Sequence, residues 1–351
     1  MSDPQAYRPQ YVSASLSDRR AAASRCCDAA QVMDRRRFLG TSAALAAAAG
    51  GAALAGTMGD ALVSTAAAAD QPAVDRNAAI DAHVHVWTPD TEKYPLAPGY
   101  KKADMQPPSF TPEELLAHAR PVGVGRIVLI QMSFYGFDNS YMLDSMRRFP
   151  GVFSGVAVID EDDRPAETMR KLKAQGVRGF RILPGKRPVQ TWLNGEGMAA
   201  MWKCGAEEGL AMCHLINPDS LPAVDRMCKR FPDTPVVIDH FARIGVTGTI
   251  NPEDLKALCD LARHKQVKVK VSAFYALGKK QPPYTDLLPM IRQLLDSYGP
   301  ERLMWATDCP YQVQDQHTYK ASIELVRDHL KLSPGDRDWL LRKTAESVFF
   351  T

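Results

Sequence analysis

Cysteine is scarce and unpaired in pattern. The 351 residues hold 7 cysteines with no C-x-x-C spacing, and Cys26 and Cys27 lie in an N-terminal stretch unlike the rest. The remaining five, Cys204, Cys213, Cys228, Cys259 and Cys309, are odd in number and sit mostly in apolar patterns. That excludes a secreted disulfide framework and reads as buried free thiols. No glycine-rich phosphate loop follows any strand-like run, which removes the usual dinucleotide signature. Charge of one sign is also missing: residues 70–351 carry 36 Lys and Arg against 35 Asp and Glu. Such a body has no electrostatic footprint for nucleic acid or an anionic membrane. Internal repeats are absent. What is there, 45% hydrophobic and 24% charged residues, describes a folded globular protein.

The first 69 residues read as an address. Asp34-Arg35-Arg36-Arg37-Phe38-Leu39-Gly40 precedes an Ala/Leu/Gly run over 41–56, and the small residues 64–69 end it. A basic start, an apolar middle and a small-residue exit are the parts of an export signal. Paired arginines followed by Phe-Leu look like a twin-arginine signal, read by the twin-arginine translocase, which carries folded proteins. The apolar part is alanine-rich, which argues against a stable membrane span. The expectation is a domain boundary at 69/70, with Met33 as an alternative start, and a periplasmic or secreted mature chain over 70–351.

Along that body, apolar runs suited to buried parallel strands recur at 79–86, 126–132, 153–159, 177–182, 210–215, 235–240, 267–272 and 302–306. Helix-period stretches separate most of them. Thr111-Pro112-Glu113-Glu114, Asn251-Pro252-Glu253-Asp254 and Ser333-Pro334 each open a helix with a cap, a proline in the first turn and, in two cases, early acids. Eight strands alternating with helices predict an α/β fold, a (β/α)8 barrel, with an open doubly wound sheet as the alternative.

In a barrel the chemistry gathers at the C-terminal ends of the strands. His83 and His85, two apart at the end of the first strand, face the same way and have the geometry to share a metal ion. His214 ends the fifth strand, His240 the sixth, and Asp308 follows the eighth. Each alone reads as a core residue, whereas five gathered at strand ends point to a site. His118, His264, His317 and His329 fall in helix-like stretches and read as surface residues.

These residues resemble the amidohydrolase superfamily and, within it, the amidohydrolase-related branch. The resemblance spans 79–350 and rests on Ile80–His85, Gly176–Arg181, Val237–Arg243 and Glu301–Pro310. It implies a metal-dependent barrel hydrolase with His83, His85, His214 and Asp308 as ligands of one divalent ion, zinc or else manganese. It also implies His240 as a proton-handling histidine beside the substrate. Binuclear relatives carry a lysine at the end of the fourth strand, and this chain has none there, so the implied site is mononuclear or, as in some lactonases of the branch, metal-free. The branch contains lactonases and non-oxidative decarboxylases, and its members are often homo-oligomers. The reading that follows is a lactonase with Asp308 as general base. The alternatives are a decarboxylase with the same ligands and an exported binding protein without turnover.

Cations near the same rim suggest an anionic substrate. Arg178 and Arg181 bracket the fourth strand, Lys186 and Arg187 follow it, and Arg243 stands three residues after His240. Arginine forks suit carboxylates and sulfonates, although strand arginines also pair with helix carboxylates. Tyr135, with Ser133 and Asn139 after the second strand, and Tyr275 after the seventh are candidates for orienting a ring or hydroxyl.

Overall fold

The computed structural model describes residues 75–185 and 187–351. The expected export signal over residues 1–69, and Lys186, lie outside the described residues. All eight expected strands form: β1 (Ala79–Val84), β2 (Val124–Ile130), β3 (Phe153–Ala157), β4 (Val177–Ile182), β5 (Ala211–His214), β6 (Val236–Ile238), β7 (Val267–Val271) and β8 (Leu303–Trp305). They pair in parallel in the order β1 to β8, with helices between them, which is the (β/α)8 barrel rather than the open sheet. The three expected helix starts hold as well. Thr111 and Glu114 exchange side chain-to-backbone hydrogen bonds, and Asn251 and Ser333 accept from Glu253 N and Asp336 N.

The barrel interior is a small apolar plug. Ile80, Ala82, Val128, Ile130, Val156, Ala211, Cys213, Val237, Met304 and Ala306 fill it, and Ala345, Val348 and Phe349 of the last helix close it from below. That floor is tied at the start of β2 by an Arg126–Glu346 ion pair at 2.8 Å. A larger layer packs the outer faces of the strands against the helices. Burying each full-sized apolar side chain in these layers contributes roughly 1.5–3 kcal/mol.

Two irregularities position the site. On β1, Asp81 pairs with Ile127 and Val84 with Leu129, so β1 has one residue more than its partner over this stretch. Such a bulge breaks the strict alternation of faces. Ile80 and Ala82 face the interior, and without the extra residue His83 and His85 would face the helices. At the closure, Val84 bridges Cys309, with Asp308 N donating to His83 O and His85 N donating to Cys309 O, both at 2.9 Å. The seam of the barrel is therefore made by the residues on either side of the candidate ligands.

Candidate active site

Asp308 is the centre of the arrangement. It takes a left-handed backbone, φ 70°, and its carboxylate Oδ1 lies 3.4 Å from His83 Nε2 and 3.3 Å from His85 Nε2. Oδ2 accepts a hydrogen bond from the Tyr275 hydroxyl at 2.7 Å and lies 3.8 Å from His240 Nε2. Burial pushes this carboxyl up, but His240, His85 and His83 around it outweigh burial and hold it well below the usual carboxylate range. It is ionised at neutral pH.

The imidazoles are set by their second nitrogens. His85 Nδ1 is 2.9 Å from Ile130 O. A carbonyl only accepts, so the proton belongs on Nδ1 and the Nε2 lone pair points to the centre. One ligand atom from each of His83, His85 and Asp308 lies within 4.8 Å of the others. Two nitrogens and a carboxylate oxygen are the donor set of a divalent ion that keeps an open position.

His240 reaches the cluster through an unusual turn. His240, Phe241, Ala242 and Arg243 have φ of 51°, 53°, 53° and 61°, a left-handed run that costs each non-glycine residue on the order of 1 kcal/mol or more. Phe241 and Ala242, both fully buried, hold it in place. His240 Nδ1 lies 2.8 Å from Ser272 Oγ, and its ring is 4.3 Å from that of His83. Burial lowers His240 to about 4, so it is neutral at pH 7. Arg243 closes this left-handed run, three residues after His240. Among the described residues no ion pair engages Arg243.

The floor of the site is charged: Arg181 was expected near the mouth, whereas Asp239 and Lys270 beneath it were not. Arg181, Asp239 and Lys270 all face the interior and are buried. Lys270 Nζ is 2.9 Å and Arg181 Nη2 is 3.6 Å from Asp239. Both cations also reach His83: Lys270 Nζ is 3.1 Å from Nδ1 and Arg181 Nη2 is 3.3 Å from Nε2. Burial favours a neutral Asp239, but Lys270, His83 and Arg181 outweigh it and keep the carboxyl well below its usual range. Burial, then Lys270, pushes His83 well below its usual value. The signal for Lys270 was present in Val267-Lys268-Val269-Lys270-Val271, where valines alternate with lysines. The valines face the helices, so the lysines must face the barrel.

Other expected residues stand elsewhere. His214 is at the end of β5, but there Ala211 and Cys213 face inward, which turns His214 outward. Its Nδ1 is 3.0 Å from Met212 O, and its ring packs on Trp192 and Trp202. Only His83, His85 and Asp308 come together as potential ligands among the described residues, so His214 is not one of the set. Arg178 lies at the start of β4, far from the mouth, where its Nε donates to Thr351 O at 3.1 Å. Tyr135 accepts from Thr88 N at 3.3 Å and packs on Phe134 and Tyr141, a role in the loop wall. Arg187 pairs with Glu161 at 2.5 Å. A cavity of about 640 Å³ lined by Arg181, Phe137, Ile159, Trp192 and Met198 opens beside these loops.

Comparison with known proteins gives the family. The chain is 30% identical over 236 residues to a 4-sulfomuconolactone hydrolase of Hydrogenophaga intermedia, covering 66% of this chain and 74% of that one. It is 30% identical over 248 residues to a 2-pyrone-4,6-dicarboxylate hydrolase of Comamonas testosteroni, covering 68% and 79%. A crystal structure of an amidohydrolase from Burkholderia multivorans with bound zinc matches with a TM-score of 0.65 at 21% identity, over 78% of this chain and 99% of that one. At that identity the likeness is one of fold. The amidohydrolase family model matches residues 80–351, from the first strand to the last residue, and the chain belongs to that family.

Proposed function

We propose that the protein is a lactonase, hydrolysing a cyclic ester that carries carboxylate or sulfonate groups. The observation that carries the reading is Asp308, one ionised buried carboxylate facing two imidazoles through Oδ1 and held by Tyr275 through Oδ2. A divalent ion on His83, His85 and Asp308, zinc by its donor set or else manganese, would polarise the ester carbonyl and make water acidic near pH 7. Asp308 accepts the proton of the attacking water. His240, neutral and with Nδ1 turned to Ser272, presents Nε2 on the reacting side and delivers a proton to the leaving ring oxygen. The proton taken by Asp308 then replaces the one given up, and the product is the ring-opened acid.

The two relatives at 30% identity described above are named for anionic lactones. Arg243, three residues after His240 in the left-handed run and without an ion pair among the described residues, is the cation assigned to such a group, and the cavity beside Arg181 has room for a ring substituent. The test is hydrolysis of 4-sulfomuconolactone and 2-pyrone-4,6-dicarboxylate beside a neutral sugar lactone, with products identified. Ring opening with release of one proton supports the reading. Release of carbon dioxide from an aromatic acid, with every lactone untouched, overturns it in favour of a decarboxylase. We propose in addition that the mature chain is exported folded through the twin-arginine route.

A further inference from the structure

The two nitrogens of His83 face two cations, and a neutral imidazole has only one lone pair. Lysine and arginine can only donate. For His83 to bind a metal through Nε2, its proton must sit on Nδ1, where Asp239 Oδ1 at 3.5 Å can accept it. The lone pair on Nε2 must then be free. In this structure Arg181 Nη2 is 3.3 Å from that atom. Lys270, at 3.1 Å from the other nitrogen, adds a second positive charge beside the place an ion would take. Asp239 pairs with both cations, and Asp308 lies 3.4 Å from His83 Nε2.

Arg181 is also poorly anchored for a buried arginine. Its Nε has no hydrogen-bond partner among the described residues, and its reach to Asp239 is a long 3.6 Å. It lines the cavity of about 640 Å³, so the guanidinium has space to turn into. Its charge is permanent, and repulsion between a guanidinium and a divalent ion a few ångströms apart in a buried site is strong.

We propose that Arg181, backed by Lys270, competes with the metal for His83 Nε2 and holds metal affinity low, so that the ion is exchangeable rather than permanently bound. When an ion enters, Arg181 leaves His83 and turns to the cavity, where its charge becomes available to an anionic substrate. The inference rests on the ligand assignment in the proposed function, but its readout is metal binding and does not depend on which lactone is opened.

The test is titration of the chelator-treated protein with zinc alone, at fixed pH, for the wild type, Arg181→Met and Lys270→Met. Each variant is expected to bind zinc at least about tenfold more tightly than the wild type, because removing one positive charge from beside the ion removes a repulsion. Equal or weaker binding in the variants overturns the proposal, as does an absence of zinc binding in all three. Should a variant fail to fold, crystals of the wild type with and without zinc decide the matter. Departure of Nη2 from His83 Nε2 on zinc binding is expected, and an unchanged contact with zinc present overturns the proposal.

Discussion

His214 and His240 both end barrel strands, and only the direction of the side chain separates them. His240 is brought to Asp308 by the left-handed turn, whereas His214 lies behind its strand against Trp192 and Trp202. The sequence shows the residue and the strand end but not the face, because β5 is short and flanked by apolar residues on both sides. The outward position has a consequence for stability. Burial lowers His214 to about 4 from its ordinary 6.5, so the unfolded chain binds a proton between those values that the folded chain refuses. Stability from this group is complete above pH 6.5 and is lost as pH falls towards 4, by about 2 kcal/mol between pH 7 and pH 5. Urea unfolding of His214→Gln is expected to show a flatter pH dependence than the wild type over that range. At the reacting centre, Asp308→Asn removes the proton acceptor and is expected to lower kcat at least a hundredfold, the usual scale for a general base, with the circular dichroism spectrum unchanged. Arg243→Ala is expected to raise KM for dianionic lactones far more than for neutral sugar lactones, and equal rises would remove Arg243 from substrate recognition.

Among the elements, the eight strands and three helix starts were legible because they rest on local rules: apolar runs, capping side chains and first-turn prolines. The bulge in β1 was not. It depends on the pairing of Asp81 and Val84 with residues more than forty positions away, and nothing in Ile80–His85 alone announces it. The same holds for the clamp behind it. Asp81 Oδ1 accepts from His83 N at 3.1 Å and Thr307 N at 3.0 Å, while Oδ2 accepts from Thr307 Oγ1 and Tyr319 at 2.5 Å each. Those bonds join the bulge to the residue before Asp308, so one buried carboxylate fixes both strands that carry the triad. Burial nonetheless raises Asp81 to about 6, a sign that desolvation outweighs its four donors. Tyr319→Phe removes one of them without changing shape. It is expected to cost about 1–3 kcal/mol in urea unfolding and to lower kcat more than it changes KM, since the loosened seam bears on Asp308 and not on the cavity. Unchanged stability and turnover would show that three donors suffice.

For the molecule as a whole, the topology sets when the barrel can close. The seam joins Val84 to Cys309, and the floor comes from Ala345, Val348 and Phe349. The first strand therefore cannot be enclosed until the last helix has been made, and no N-terminal part of the barrel is complete on its own. The five described cysteines are free and mostly buried, so nothing in the fold calls for an oxidising compartment to form it. Among the described residues, no helix is long and apolar enough to cross a membrane. Replacing Arg35 and Arg36 together by lysine keeps the charge of the proposed signal and removes the paired guanidinium groups. Cell fractionation is expected to find the wild type in the periplasm and the double variant in the cytoplasm, there folded and active. Equal periplasmic amounts of the two would end the twin-arginine assignment. A second comparison addresses folding itself: Phe349→Ala opens the barrel floor at a cost of about 3–5 kcal/mol, and a folded-only route should then export less of that variant in proportion to its unfolded fraction. Full export of a chain shown to be unfolded would point to a carrier that accepts an open barrel.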